Sequence, residues 1–205
     1  IIDPTDDNFM YGALYYGDIR RSTNGGSPFG GISGSISETG AWVTPYKLDP
    51  NDPNRMFAGY DNVWRSDNVK GGTPSWSQIS NFSGTSNITD LAIAPSNSAV
   101  VYVSRANNSQ RFLRSTNATG GSPKWTNLTS SLPVSSTPKD IEIDHTDPTH
   151  IFVAIGNDIY ESTNSGGSWT NISGTLPNIS LNTIVIDKDS PLEAMYVGMD
   201  AGVYY

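Results

Sequence analysis

Asp90 and Asp140 occupy matching places in successive stretches of this chain, each just ahead of a run of aliphatic residues. They are the best-placed carboxylate pair in the sequence. Hydrolysis of a glycosidic bond needs two such groups about 5–9.5 Å apart across the scissile bond. The competing reading is structural, with each aspartate accepting hydrogen bonds from a neighbouring connection. His145 and His150 flank Asp147 and raise the question of a metal. The same turn recurs without histidine at Asp49-Pro-Asn-Asp-Pro53, and two imidazoles alone define no coordination geometry, so no metal site is assigned. Arg105 and Arg111 bracket the segment Ser104–Arg111 and offer planar, multi-donor forks suited to an anionic group. The alternative for them is pairing with a carboxylate such as Asp61 or Asp158. With Trp42 and Tyr60 they make up the candidate ligand-binding residues.

Composition narrows the classes. Lys and Arg total 12 against 20 Asp and Glu, a net charge of −8, which disfavours nucleic acid and anionic membrane surfaces alike. No apolar run approaches the roughly 18–20 residues of a membrane span. Cysteine is absent, removing disulfides, thiolate metal sites and cysteine nucleophiles. No cofactor is expected. Texture rich in Asn, Ser and Thr leans towards an extracellular or cell-surface bacterial protein.

The elements that must position these residues form a repeat. Ser22-Thr-Asn24, Ser66-Asp-Asn68, Ser115-Thr-Asn117 and Ser162-Thr-Asn164 recur at 44, 49 and 47 residues by subtraction, each followed by glycine. An aromatic comes next (Phe29, Trp76, Trp125, Trp169), then an aliphatic (Ile32, Ile79, Leu128, Ile172). An upstream aromatic column runs Tyr11, Phe57, Tyr102, Phe152, Tyr196, preceded by Asp-rich turns such as Asp3–Asp6 and Asp144–Asp147. A unit of about 40–50 residues with four short β-branched and aromatic strands is a propeller blade. The spacing predicts blades over approximately 1–37, 38–84, 85–132, 133–176 and an incomplete 177–205, all β and essentially without helix. Trp76, Trp125 and Trp169 are expected between blades. Ile1-Ile2-Asp3 aligns with the end of a first strand, and Val203-Tyr204-Tyr205 with Ile159-Tyr160-Glu161. The expectation is therefore a longer propeller of about seven or more blades, with further segments completing it.

The pattern Ser-x-Asn-x-Gly-x-x-Trp, complete at Ser162, Asn164, Gly166 and Trp169, resembles the Asp-box, or BNR, repeat. Asparagine stands where that box has aspartate. It keeps the acceptor oxygen that caps the turn while losing a charge. The resemblance covers the whole chain and implies a β-propeller whose boxes are structural turns. It spans sialidases, xyloglucanase-type glycoside hydrolases, sortilin-like receptors, photosystem assembly factors and secreted bacterial proteins, including modules exported by the type IX route. Sialidase chemistry wants arginines from several blades. Arg20, Arg21, Arg65 and Arg114 lie beside box serines and Arg55 beside a turn, so that triad is not expected.

The leading reading is a non-catalytic binding or scaffold module with a protein or polysaccharide ligand. The alternatives are a glycoside hydrolase fragment and a sortilin-like peptide-binding or assembly factor.

Overall fold

The structure, a computed structural model, describes residues 1–107, 109–190 and 194–205. The described residues contain no α-helix. Short strands of β-branched and aromatic residues, cut by Pro, Gly, Asn and Asp, build five antiparallel sheets in succession. The first holds β1 (Met10–Ala13), β2 (Ile19–Ser22) and β3 (Gly30–Gly31). The second runs from β4 (Tyr46–Leu48) through β5 (Met56–Gly59) and β6 (Val63–Ser66) to β7 (Ser77–Gln78). The third runs from β8 (Ile88–Ile93) through β9 (Val101–Arg105) and β10 (Phe112–Ser115) to β11 (Trp125–Asn127). The fourth comprises β12 (Asp140–Ile143), β13 (Ile151–Ile155), β14 (Asp158–Ser162) and β15 (Thr170–Asn171). The fifth holds β16 (Leu181–Ile186), β17 (Met195–Met199) and β18 (Gly202–Tyr204). Each sheet is a meander, and the sheets stack as blades of a β-propeller.

The stacking follows from burial. Every residue of β5, β9 and β13 is buried, so neither face of these sheets can meet water. Four apolar clusters result, each shared between one sheet and the next. In the second seam Phe57, Val63 and Ile79 meet Leu91, Val101 and Val103.

Turn chemistry is local. Ser22 Oγ donates to Asn24 Oδ1 at 2.8 Å and accepts from Gly26 N at 3.0 Å. Ser66 with Asn68, Ser115 with Asn117 and Ser162 with Asn164 repeat the Ser–Asn bond. The asparagine oxygen then caps a later N–H, from Ser75, Lys124 or Ser168 at 2.8–2.9 Å. Gly166 sits at φ +82°, and a Cβ there would lie 3.2–3.4 Å from Leu128, Phe112 and Trp169. Glycine is required on both counts.

Two interactions tie blade to blade. Trp76 Nε1 donates to Ile32 O at 2.7 Å, and Trp125 Nε1 to Ile79 O at 2.8 Å, each reaching into the preceding blade. Trp76 is buried, while Trp125 and Trp169 are half-buried and packed against their clusters. Phe29, their counterpart in the first sheet, is exposed. In the other direction Arg21 donates to Val69 O and Gly71 O, Arg65 to Ala118 O and Gly120 O, and Arg114 to Ser165 O. These arginines therefore staple the last residues of a blade's third strand to the Ser-x-Asn turn of the next blade.

Truncating the most enclosed indole tests the seam. Trp76→Ala is expected to lower unfolding stability by about 3–5 kcal/mol, read as a fall in the urea midpoint. Phe29→Ala, at an exposed site, should shift it far less.

Candidate functional site

One end of the propeller carries the turns between second and third strands and the connections between blades. Tyr15, Tyr16, Asp18, Trp42 and Tyr60 meet there. Tyr15–Gly17 forms a single 3-10 turn between β1 and β2, closed by Leu14 N donating to Asp18 O at 2.9 Å. Tyr16 takes a left-handed conformation at φ 60° and ψ 25°. For a residue with a Cβ this costs about 1–2 kcal/mol. The connection after β3, residues 32–45, folds back over this turn, and Gly40 N donates to Tyr16 O at 3.1 Å. Glu38 clamps the same connection onto the second blade. Its carboxylate accepts from Asn62 N, Asn62 Nδ2 and Trp64 Nε1 at 2.8–3.0 Å.

The outcome is a ridge of three outward-facing rings. Tyr15 stacks on Trp42 with centroids 4.3 Å apart and planes at 27°, while Tyr16 meets Trp42 edge-on at 5.4 Å. Tyr15, Tyr16 and Trp42 are 59, 53 and 59% exposed, and Leu14 and Val43 beside them are also exposed. Large rings normally seek burial, so five adjoining apolar side chains in solvent make a patch that marks interaction. A cleft of about 370 Å³ lined by Tyr16, Asp18, Ser33 and Glu38 lies on one flank. Another of about 390 Å³, lined by Leu14, Trp42, Val43 and Tyr46, lies on the other. Tyr15 borders both. Asp18 is held by a two-pronged contact from Arg20, at 3.0 and 2.7 Å.

Tyr60 is not a surface contact as expected. It is 1% exposed, and its hydroxyl donates to Gly17 O at 2.5 Å, so it supports the ridge from beneath. Burial raises its phenol to about 12, with smaller contributions from the Asp18 and Glu38 charges set against a lowering bond with Ser33. Gly17, at φ +86°, leaves room for that ring where a Cβ would collide with it.

Arg105 also departs from expectation. It ends β9 and is fully buried over the face of Phe82, 5.0 Å from its centroid. Its guanidinium donates to Ser86 O, Gly84 O and Gln110 Oε1 at 3.0–3.1 Å, fixing the connection between the second and third blades. Burial lowers its pKa, opposed by the Asp61 and Glu38 charges. It pairs directly with neither Asp61 nor Asp158, and it is not an open anion receptor. Arg111 is half-buried, and its main chain bonds Thr129 Oγ1 and Arg105 N. Asn108, within the same loop, lies outside the described residues.

Asp90 and Asp140 line the inner edge of the blades. Asp90 Oδ2 accepts from Ile141 N at 2.8 Å, and Asp140 Oδ2 accepts from Ile184 N at 2.6 Å and Thr183 Oγ1 at 2.8 Å. Each braces the innermost strand of the following blade, and Glu142 repeats the device towards Ile186 N at 3.4 Å. Burial first, and the Asp140 charge second, raise Asp90 to about 7. His145 contacts Ile186 O at 3.3 Å, whereas His150 meets Glu161 at 2.8 Å and lies against Phe152, so the two imidazoles serve different partners. Asp144 anchors their turn. Burial opposes its ionisation, but N–H bonds from Thr146 and Asp147 outweigh it and hold the carboxyl below its usual range.

No protein-family model matches this sequence, and no curated protein matches it either. Solved structures do. An ancestral GH74 enzyme superposes over 96% of this chain with a TM-score of 0.71 at 19% identity. The GH74 xyloglucanase from Xanthomonas campestris does so over 98%, with a TM-score of 0.68 at 16% identity. YCF48 from Cyanidioschyzon merolae superposes over 96%, at 0.68 and 14%. At these identities the likeness establishes the propeller fold alone. The chain spans 28% and 36% of the two GH74 chains and 65% of YCF48.

Arg105→Ala leaves several buried acceptors without their donor and is expected to cost at least about 1.5–3 kcal/mol in chemical denaturation. For Asp90 the folded pKa stands above the ordinary 3.8, so the proton binds more tightly in the folded state. Its stabilising contribution is full below pH 4 and is lost as pH rises through about 7. Glu142, raised by burial, acts in the same sense. The thermal midpoint should therefore fall by a few degrees between pH 5.5 and 8.5, and Asp90→Asn should flatten that fall.

Proposed function

We propose that this chain is a non-catalytic binding module, built of Asp-box repeats, in a secreted or cell-surface bacterial protein. Its ligand-contacting surface is the Tyr15–Tyr16–Trp42 ridge, and its ligand is a polysaccharide. The observation that carries the reading is the stacked, solvent-facing ring cluster held by a strained Tyr16. Flat rings accept the C–H faces of pyranose units with little loss of side-chain freedom. The flanking clefts supply Asp18, Ser33 and Glu38 for hydroxyl groups. Tyr16 keeps a left-handed backbone while its ring stays 53% exposed beside Trp42, which fits a residue kept for contact.

The alternative, a glycoside hydrolase fragment, draws on the likeness to GH74 enzymes. Against it, Asp90 and Asp140 are both engaged with main-chain N–H groups, and the exposed rings lie in the first sheet and the connection after it, whereas the two aspartates belong to the third and fourth sheets.

The test is affinity electrophoresis and calorimetry with xyloglucan, mixed-linkage β-glucan and a sialylated glycan as probes. Binding to one of the glucans is expected, with no release of reducing ends. Trp42→Ala should weaken it by about 1–2 kcal/mol or more without moving the unfolding midpoint. Binding unchanged in Trp42→Ala and Tyr15→Ala removes the ridge from the account. Hydrolysis abolished by Asp140→Asn makes the enzyme reading the leading one.

A further inference from the structure

We propose that the outer cleft between the second and third blades binds a neutral sugar residue, read by amide side chains beside Trp125. The cleft lies away from the aromatic ridge, and its reading does not rest on the ridge's role. Both sheets that form it are four-stranded, and their fourth strands, β7 and β11, contribute to its walls. Its volume is about 440 Å³, in the range of small-ligand pockets.

The floor is apolar. Ile79, Phe82 and Leu113 are buried there, and Trp125 stands half-buried beside them, edge-on to Phe82 with centroids 5.3 Å apart. The indole N–H is spent on Ile79 O at 2.8 Å, so the ring is fixed and meets the cleft as apolar surface alone. In the preceding seam Trp76 is buried, and the connection between blades runs over residues 32–45. Here the connection is only residues 79–87, and Trp125 keeps part of its surface open.

The walls carry four amides, Gln78, Asn81, Gln110 and Asn127, and no described residue lining the cleft is charged. Gln78 Nε2 donates to Ser80 O at 2.7 Å, which leaves its Oε1 as an acceptor. Gln110 Oε1 accepts from Ser83 N and Arg105 Nη1, each at 3.0 Å, which fixes the amide's orientation and leaves its Nε2 as a donor. Asn127 is held through Ser109 O and Thr129 N, and Asn81 is exposed. The loop that breaks the repeat thus contributes Gln110, the amide that buried Arg105 holds. This arrangement selects a class of ligand. A sugar hydroxyl both donates and accepts, and the fixed acceptor of Gln78 and fixed donor of Gln110 match the two roles. The C–H face of a pyranose needs an apolar surface, which Trp125 and Phe82 supply. A carboxylate, sulfate or ammonium group would lose hydration against walls that offer no opposite charge. Side chains already held in place lose little freedom on binding.

The experiment titrates the ¹⁵N-labelled 205-residue chain with methyl β-glucoside, methyl α-mannoside, methyl β-N-acetylglucosaminide and methyl β-glucuronide, followed by NMR. At least one of the three neutral glycosides should give saturable shifts of the Trp125 indole N–H and of the Gln78 and Gln110 side-chain amides. The glucuronide should move none of them. Gln110→Glu keeps the acceptor for Ser83 N and Arg105 but removes the donor, and should weaken binding at least about fivefold, the loss of one hydrogen bond, with the urea midpoint unchanged. Trp42→Ala should leave these shifts intact, which separates the cleft from the ridge. The proposal is overturned if no neutral glycoside moves the Trp125 signal, if the shifts are confined to Trp42 and its neighbours, or if the glucuronide binds as well. Unaltered affinity in Gln110→Glu also overturns it. Should Gln110→Glu lower the urea midpoint, Gln78→Ala, at an exposed position, decides the matter by the same loss of affinity.

Discussion

The second, third and fourth blades bury every residue of β5, β9 and β13, and that single constraint governs the rest. A sheet such as β12–β15 buries all of β13 only because a neighbour stands on each side. No blade has a core of its own; the cores are the seams. Stability is then a sum over seams, as in other repeat architectures, and each seam needs something to fix its register. In the first two seams two directional contacts do so. Between the third and fourth sheets only the Arg114 contact of the two is made, Trp169 Nε1 having no hydrogen-bond partner among the described residues. The indole N–H reaches back to the preceding blade, and the third-strand arginine reaches forward to the next turn. The two point in opposite directions along the chain, so a blade that slides loses one or the other.

The columns of the repeat made the fold legible, because a propeller repeats its chemistry as well as its shape. Ser and Asn supply the turn's bonds in all four boxes, Gly26 and Gly166 a positive φ, and Trp76 and Trp125 a bond to the preceding blade, so the spacing carries through to the turns observed. The arginine staple was harder to see. Arg21, Arg65 and Arg114 form a column as regular as the tryptophans, each directly before a box serine. Their partners are main-chain carbonyls of a different blade, and no residue type marks a carbonyl. The same blindness hid Arg105. The loop containing it stands out as a break in the repeat, and breaks suggest grafted function. Its acceptors are Ser86 O and Gly84 O, which sequence does not distinguish from any other peptide group.

The ridge shows the converse case. Nothing in the spacing of Tyr15, Tyr16 and Trp42 announces that they touch. Contact depends on the path of residues 32–45, and that path is set by Glu38 accepting three bonds from the second blade. Tyr60 reads as a binding residue because it stands in a turn between the second and third strands of its blade, on the face where propellers usually meet ligands. Its hydroxyl instead meets Gly17 O, and its ring fills the space that a glycine vacates. Two aromatics on adjacent turns thus take opposite roles: one is the wedge and the other the displayed face. The strain at Tyr16 belongs to the same arrangement, since the wedge and the Gly40 bond together hold a backbone that tyrosine alone would leave.

The inner carboxylates complete this logic. A first strand is short of partners on its axial side, where the next blade's first strand approaches without forming a ladder. Asp90 and Asp140 fill that gap by accepting from Ile141 N and Ile184 N. A carboxyl group offers an acceptor oxygen for this bond whether or not it is ionised, whereas an amide would bring two further N–H donors that need partners of their own. The cost is a row of like charges along one edge, and it is visible in Asp90, whose proton is held by burial and by the Asp140 charge. A pair of carboxylates at matching blade positions, one with a raised pKa, has the outward marks of an acid and its conjugate base. The same marks arise when a repeat uses one acidic residue per blade as a brace, because the repeat itself brings the charges together. In repetitive folds a catalytic pair is therefore better sought where two carboxylates occupy unlike positions, since matching positions are explained by the architecture alone.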